Sequence, residues 1–489
     1  MKRLLILVFL LVLATAAFVS ASGGEEATAV ATAIKWNKPV SWPERLLADK
    51  YILPEGWQKA TEGVKEISFY NSGGLSTDIA TAMNMARFQE LTGIKVNAIA
   101  VSADLAEPKS LATLVAKDTS VDAVLANDPA YNLSSLVAGG WIVPVDVMYP
   151  PEVTKLYNPD LKSSYSWDGH WYAAPICYIG HIDFYRPSWL KGAGVELPDN
   201  YADLYEVIKK VDAWAKKTYG PDNFGAVFVG STQDAINWYR TLMYSQGSLV
   251  IKDGKYQFGS PESRNAFKLM VDIVKNGYAP RDTLTYAWGD AGRFFGVGKA
   301  GFLFAIQPSY ITVYQRSEYD KTLGGDVDVF APLKWDKSSP DSYRGKGVVG
   351  SNSMLINKYI SDQQKAAVML FYDYVRSLEG QRNEVIVEGN ESALVYLWEN
   401  MGEQLKRVDW AFADKVADQL KIDHVQRRTA LPALEARKIN SLETSFEVYL
   451  PGFQQISQKF IEEFSKAVLG ERTIDEAIKN IQAIADELS

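Results

Sequence analysis

Apolar positions recur along most of the chain with two periods, one of about two residues and one of about 3.6. Between residues 64 and 102 a short apolar run around Ile67, Phe69 and Tyr70 leads into a glycine turn; Ile79, Met83, Ala86 and Leu91 then mark one face, and "IKVNAIAV" closes the segment. The spacing predicts strand, turn, helix and strand, with Ser76 as N-cap and Thr92-Gly93 as the stop. Such a β-α-β unit implies a parallel sheet. A second unit follows: a helix near 108–118, a buried strand in "VDAVLAND" (121–128), and a helix from about 133 to "GGWIVPVD". Leu204, Val207, Ile208, Val211 and Trp214 trace a further helical stripe, and helices are expected at 233–246, 261–276, 361–379 and 402–420. In the last segment Thr473 and Glu476 make a capping box ahead of a face formed by Ile474, Ala477, Ile478, Ile481 and Ala485. No repeat period emerges, and the chain reads as α/β throughout.

The N-terminus departs from this pattern. Lys2 and Arg3 precede a ten-residue apolar run, Leu4 to Leu13, and the small residues Val19-Ser20-Ala21. This is the form of a secretory signal peptide over residues 1–21, too short for a span of about twenty residues. No cysteine follows the run, so a lipoprotein anchor is not expected, and the mature chain is expected to be periplasmic or extracellular. Residues 22–63 read as a flexible leader continuing into an irregular segment that drapes over the body. Loss of Lys2 and Arg3 takes 51 basic residues to 49 against 59 acidic ones, a balance of −10 that disfavours nucleic acid and anionic lipid as partners. One cysteine excludes an intramolecular disulfide, and three scattered histidines with it make a zinc site unexpected; an all-carboxylate calcium site stays open although no EF-hand-like loop appears, and no cofactor is anticipated.

Aromatic residues make up 12% of the chain, with 13 Trp and 26 Tyr, and several stand in Gly-, Asn- and Asp-rich turns where cores are not built. One reading is dense core packing; the other is a surface that stacks flat rings on sugars. The stretch "YAAPICYIGHIDFYRP" (172–187) contains the sole cysteine and His181. Read as a strand, it puts Cys177 and His181 on one face about 13 Å apart at about 3.3 Å per residue, too far for a nucleophile and its base.

Five segments in order give the chain a wider identity: "ARFQELTGIKV" (86–96), "VDAVLAND" with "VAGGWIVPVD" (121–128, 137–146), "WDGHWYAAPICYIGHIDFYRPSWLKGAGVELPDNYADL" (167–204), "FFGVGKAGFLFAIQPSY" (294–310) and "GVVGSNSMLINKYISDQQKAAVMLFYDYVRSLEGQ" (347–381). With them the chain resembles the extracellular solute-binding proteins of family 1, the maltose-binding-protein-like receptors of ABC importers, from about residue 64 onward. The resemblance implies two α/β lobes with the ligand between them and three crossing segments: residues 173–185 with Gly180 as a flexible point, Phe304 to Ser309, and Val348 to Asn352. It gives an N-terminal lobe of 64–178 plus 305–347 and a C-terminal lobe of 179–304 plus 348–489. The leader at 22–63 has no counterpart in the family pattern.

Candidate ligand residues follow. Asn71, Gly73 and Gly74 lie between the first strand and a helix N-terminus, where backbone N–H groups can meet a ligand oxygen. Asn127 and Asp128 match the family's binding-loop position and pair a donor with acceptors for sugar hydroxyls. Gln233, Asp234 and Trp238 stand at a helix start, and Trp288 and Asp290 in a turn. Gln307 and Tyr310 match the loop after the second crossing, where the family commonly carries a stacking ring. Tyr178, Gly180 and His181 lie along the first crossing and Gly350 and Asn352 along the third. The implied function is delivery of a sugar or oligosaccharide to membrane permease subunits by a monomeric, non-enzymatic receptor. The rivals are a secreted glycoside hydrolase using Asp128, Asp234 or Asp290 as paired carboxylates, a receptor for another small solute, and an adhesin.

Overall fold

The computed structural model describes residues 33–72, 79–101, 103–126, 129–159, 161–231, 235–314, 317–323, 325–345, 347, 349–421, 437–439 and 452–488. The expected signal peptide, Ser76, Gly73, Gly74, Asn127, Asp128, Gln233 and Asp234 lie outside them. The main strands are, in chain order, β1 (Glu66–Ser72), β2 (Lys95–Val101), β3 (Ala123–Ala126), β4 (Ala173–Gly180), β5 (Ile182–Tyr185), β6 (Phe224–Phe228), β7 (Ala300–Ile306), β8 (Asp328–Phe330) and β9 (Val349–Ile356). One sheet has the order β2-β1-β3-β9-β4, the other β8-β5-β7-β6. Parallel pairing joins β1 to β2 and β3, as the β-α-β reading requires, while β9 runs antiparallel to β3. β3 and β7 are apolar and buried along their whole length, the pattern of strands covered on both faces.

Several of the helices that flank the sheets start at side-chain caps. The helices include α1 (Trp42–Leu46), α2 (Ile79–Thr92), α3 (Ala103–Val115), α4 (Tyr201–Tyr219), α5 (Ala235–Tyr244), α6 (Pro261–Lys275), α7 (Trp288–Gly296), α8 (Asp362–Val375), α9 (Trp410–Leu420), α10 (Phe453–Leu469) and α11 (Ile474–Leu488). Asn200 accepts from the Asp203 N–H at 2.9 Å to start α4, and Ser361 and Gln364 form a capping box on α8. The expected box on α11 is present, Thr473 Oγ1 receiving the Glu476 N–H at 3.2 Å and Glu476 the Thr473 N–H at 2.9 Å. The helix expected at 402–420 is instead broken at Val408 and Asp409, and Asp409 caps α9 at Phe412.

The chain packs into two compact units. The first holds the described residues of Met1–Gly74, Met85–Ile176 and Ser353–Glu379; the second holds those of Leu75–Asn84, Cys177–Asn352 and Gly380–Ser489. This differs from the division expected from sequence. β7 and β8 both pair with β5, so residues 305–347 remain with the second unit and the chain does not change unit at Phe304 to Ser309. It changes unit inside β4, and inside β9 it returns to the first unit, so residues 353–379, expected in the C-terminal lobe, lie in the first unit and the second resumes at Gly380.

The segment 33–63 is built into the first unit. Trp36 and Trp42 stack with centroids 5.1 Å apart, and both are buried. Asp373, on α8, gathers the segment: it accepts from Trp42 Nε1 at 2.9 Å, from the Tyr51 hydroxyl at 2.7 Å, from Arg376 Nη2 at 2.9 Å and from Arg45. Burial alone raises a carboxyl, but the guanidiniums of Arg45 and Arg376 outweigh it and hold Asp373 at about 2. The irregular segment is thus held by a buried ion cluster. Behind it Phe371 packs on Phe69 and Phe88, tying α8 to β1 and α2.

Candidate functional site

In the second unit a rim of partly buried rings stands on a dry core. Ile182 and Phe184 of β5, Leu303 and Ile306 of β7, Val227, Phe295 and Tyr314 fill the core, and Tyr286, Trp288 and Tyr310 pack against it without being fully covered. The sequence sets each ring in place. "TYAWGD" ends in α7, where the Asp290 carboxylate accepts from the Ala287 N–H at 3.1 Å and so occupies the helix start, directly beside Trp288. Gly292, one turn on, leaves room for Tyr310: a Cβ there would lie 2.2 Å from the tyrosine ring. The Tyr310 hydroxyl donates to the Trp288 carbonyl at 3.4 Å, and that of Tyr314 to the Gly292 carbonyl at 3.0 Å. Burial pushes the Tyr310 hydroxyl up to about 12, so it keeps its proton.

His181 lies in the gap between β4 and β5, its ring centroid 5.1 Å from that of Trp288 at an interplanar angle of 35°. It is 4% exposed, and burial, aided by the charge of Arg240, draws its pKa down to about 3. The imidazole is therefore neutral under all ordinary conditions, with one donor nitrogen and one acceptor. Its Nδ1 is buried with no hydrogen-bond partner among the described residues. The preceding Gly180 N–H donates to the Glu391 carboxylate at 2.8 Å, which pins the end of β4. Such a set can cover the apolar face of a flat, hydroxylated molecule and bond its rim. Among the described residues no group of three or more His, Cys, Asp or Glu side chains is disposed to hold a metal ion, and no helix is long and apolar enough to cross a membrane.

The structure thus brings together His181, Trp288 and Tyr310, with Asp290 at the same helix start and Gln307, partly exposed, in the turn that carries Tyr310. Trp238 is elsewhere: it is 2% exposed, stacked on Phe304 at 4.4 Å and 3°, with Phe228 at 4.6 Å. Its packing is that of a core residue; helix α5 is buried on every side, so the polar start of that helix is no guide to where its rings point. Asn71, buried at the end of β1 in the first unit, has an Oδ1 without a partner among the described residues. Tyr178 lies on β4, and Gly350 and Asn352 on β9; their side chains are outside the described residues. Sequence reasoning passed over Tyr286 and Glu391. Tyr286 shares the turn of Trp288 and was open to the same reading, whereas nothing local to Glu391 marks its bond to Gly180.

Comparison with known proteins agrees with this architecture. The family model described as bacterial extracellular solute-binding protein matches residues 84–389. A binding protein of Brucella abortus is 26% identical over 173 residues, 35% of this chain; the chain spans only 41% of the length of that curated relative. The maltose-bound MalE3 protein of T. maritima superimposes with a TM-score of 0.68 at 20% identity, covering 87% of this chain and 100% of that one. An ABC transporter solute-binding protein of Thermotoga lettingae with bound α-D-tagatose gives 0.69 at 18%, covering 87% and 100%. At these identities the superpositions establish the fold, a two-lobed mixed α/β architecture of the maltose-binding kind.

Proposed function

The chain belongs to the bacterial extracellular solute-binding proteins, and from that premise we propose that it is the extracytoplasmic receptor of an ABC importer for a sugar, oligosaccharide or polyol. The observation that carries the reading is the rim of Trp288, Tyr310 and Tyr286 beside the buried imidazole of His181. A pyranose has an apolar C–H face and a ring of hydroxyls. An aromatic plane covers the first, while a tyrosine hydroxyl, an amide such as Gln307 and an uncharged imidazole bond the second without imposing a net charge. A buried polar group left unpaired costs about 1 to 3 kcal/mol, so a sugar lacking the matching hydroxyl is discriminated against. Asn71, Gly73, Gly74, Asn127, Asp128, Gln233, Asp234, Gly350 and Asn352 remain in the proposal as further contacts, and Trp238 enters it only as packing.

Ligand-induced closure of the two lobes and delivery to permease subunits belong to the same proposal, as do secretion through the cleavable segment 1–21 and action as a monomer without a lipid anchor. The family is one of binding proteins and not of enzymes, so the ligand is released unchanged. A thermal-shift screen over mono- and oligosaccharides and polyols tests the reading. A ligand at a hundred times its Kd stabilises by about 2.7 kcal/mol, and at least one member of the panel is expected to reach that shift. A flat response across the whole panel, with amino acids or peptides active instead, rejects the sugar assignment.

A further inference from the structure

Behind the aromatic rim lies a carboxylate that the ligand reading does not use. Asp183 stands in the middle of β5, between β8 and β7, and is 1% exposed. Its Oδ1 accepts the Ala305 N–H at 2.8 Å and its Oδ2 the Tyr201 hydroxyl at 3.3 Å. Ala305 is where β7 leaves regular pairing: the register with β5 shifts between Leu303 and Ile306, and Ala305 has φ +51, in the left-handed region that alanine seldom enters. A bulge of this kind leaves a backbone N–H without its ladder partner and re-aims the strand beyond it. Here the Asp183 carboxylate supplies the missing acceptor, and the strand beyond is the turn from Gln307 to Tyr310.

We infer that Asp183 is a positioning residue: from inside the core its carboxylate holds the bulge at Ala305, and its proton state sets the geometry of the Gln307–Tyr310 turn. Its surroundings make the proton mobile. Helix α4 faces it with the Tyr201 hydroxyl, β7 with the Ala305 amide, and β8 places Phe330 opposite it in register; among the described residues no cation bonds to it. Burial, the largest influence, pushes its carboxyl up to about 7, against the pull of the two hydrogen bonds. When ionised, both oxygens accept. When protonated, one oxygen carries a hydrogen and must donate, so the Tyr201 hydroxyl has to turn from donor to acceptor and Ala305 loses a charge-assisted partner. That the Gln307–Tyr310 turn meets a ligand rests on the reading given above; the coupling itself does not.

The test follows the amides of Ala305 and Tyr310 by nuclear magnetic resonance in the purified full chain, labelled with ¹⁵N-alanine and ¹⁵N-tyrosine, from pH 5.5 to 8.5. Both signals are expected to move together with one midpoint near 7. Asp183→Asn should abolish both movements, and Tyr201→Phe, which removes a donor to the charged form, should raise the midpoint. An Ala305 signal that titrates while Tyr310 stays still overturns the inference, as does the absence of any transition in this range. Should Asp183→Asn fail to fold, the wild-type and Tyr201→Phe titrations decide the matter. No ligand enters the measurement, so its failure leaves the sugar assignment standing, and a blank sugar screen leaves the coupling standing.

Discussion

Two buried aspartates, one in each unit, have opposite electrostatic fates. Asp373 sits between Arg45 and Arg376 and accepts from Trp42 and Tyr51 as well, so its charge is compensated from several sides and its carboxyl is held at about 2. Asp183 has only a backbone amide and a phenol, and burial leaves its carboxyl at about 7. The same side chain, equally removed from water, is a fixed anchor in one place and a group poised to exchange its proton in the other. The difference lies in the cations, since hydrogen bonds alone do not offset the desolvation of a charge. The anchor ties down the N-terminal segment, and the poised group bonds the bulge that leads into the Gln307–Tyr310 turn.

The largest effect should come from breaking the anchor. Asp373→Ala leaves two guanidiniums buried without their counter-charge, and denaturant unfolding at pH 7 is expected to show a loss of about 3–5 kcal/mol. A loss below about 1 kcal/mol would mean that the segment 33–63 contributes little to the first unit. Next come the pH limbs, which run in opposite directions. Asp183 has a folded value of about 7 against an ordinary 3.8, so the stability it contributes is complete below about 4 and is lost as pH rises through 7, up to roughly 4 kcal/mol. Asp183→Asn should flatten that limb. Asp373 is depressed from 3.8 to about 2; its contribution is present above about 4 and is lost as pH falls toward 2, about 2 kcal/mol in all. Unfolding curves for the wild type and each variant at pH 3, 5 and 8 separate the two. The smallest change in stability, about 1 kcal/mol, is expected from Trp288→Ala on the rim, yet this variant should lose the sugar-dependent thermal shift.

Much of the secondary structure was legible from residue pattern, because periodicity and capping act within a few residues: the box at Thr473 and Glu476 and the parallel β1-β2 unit are local facts. What escaped depends on partners far away in sequence. Arg45 and Asp373 are 328 positions apart, and "PERLL" by itself reads as an exposed helix turn. The reach of β7 and β8 back to β5 reassigned residues 305–347 for the same reason. The candidate site was half legible. Trp288 stood out as a ring in a glycine-containing turn and Tyr310 through the family resemblance, and the structure sets Trp288 beside His181 and Tyr310 against Gly292. Trp238 had the same look in sequence but is enclosed by Phe228 and Phe304, since a ring next to polar residues at a helix start can turn inward as easily as outward. Asp183, one polar letter in "HIDFY", gave no hint that it supports a bulge more than a hundred residues downstream.

Calorimetric titration of the purified chain with each sugar or polyol that raises its melting temperature, followed by chromatography of the recovered ligand, tests the central claim most directly. Saturable binding of one ligand per chain, weakened by Trp288→Ala and with the sugar recovered intact, is the expected result. Conversion of the sugar during the titration, or binding that is indifferent to Trp288, Tyr310 and His181 alike, would contradict it.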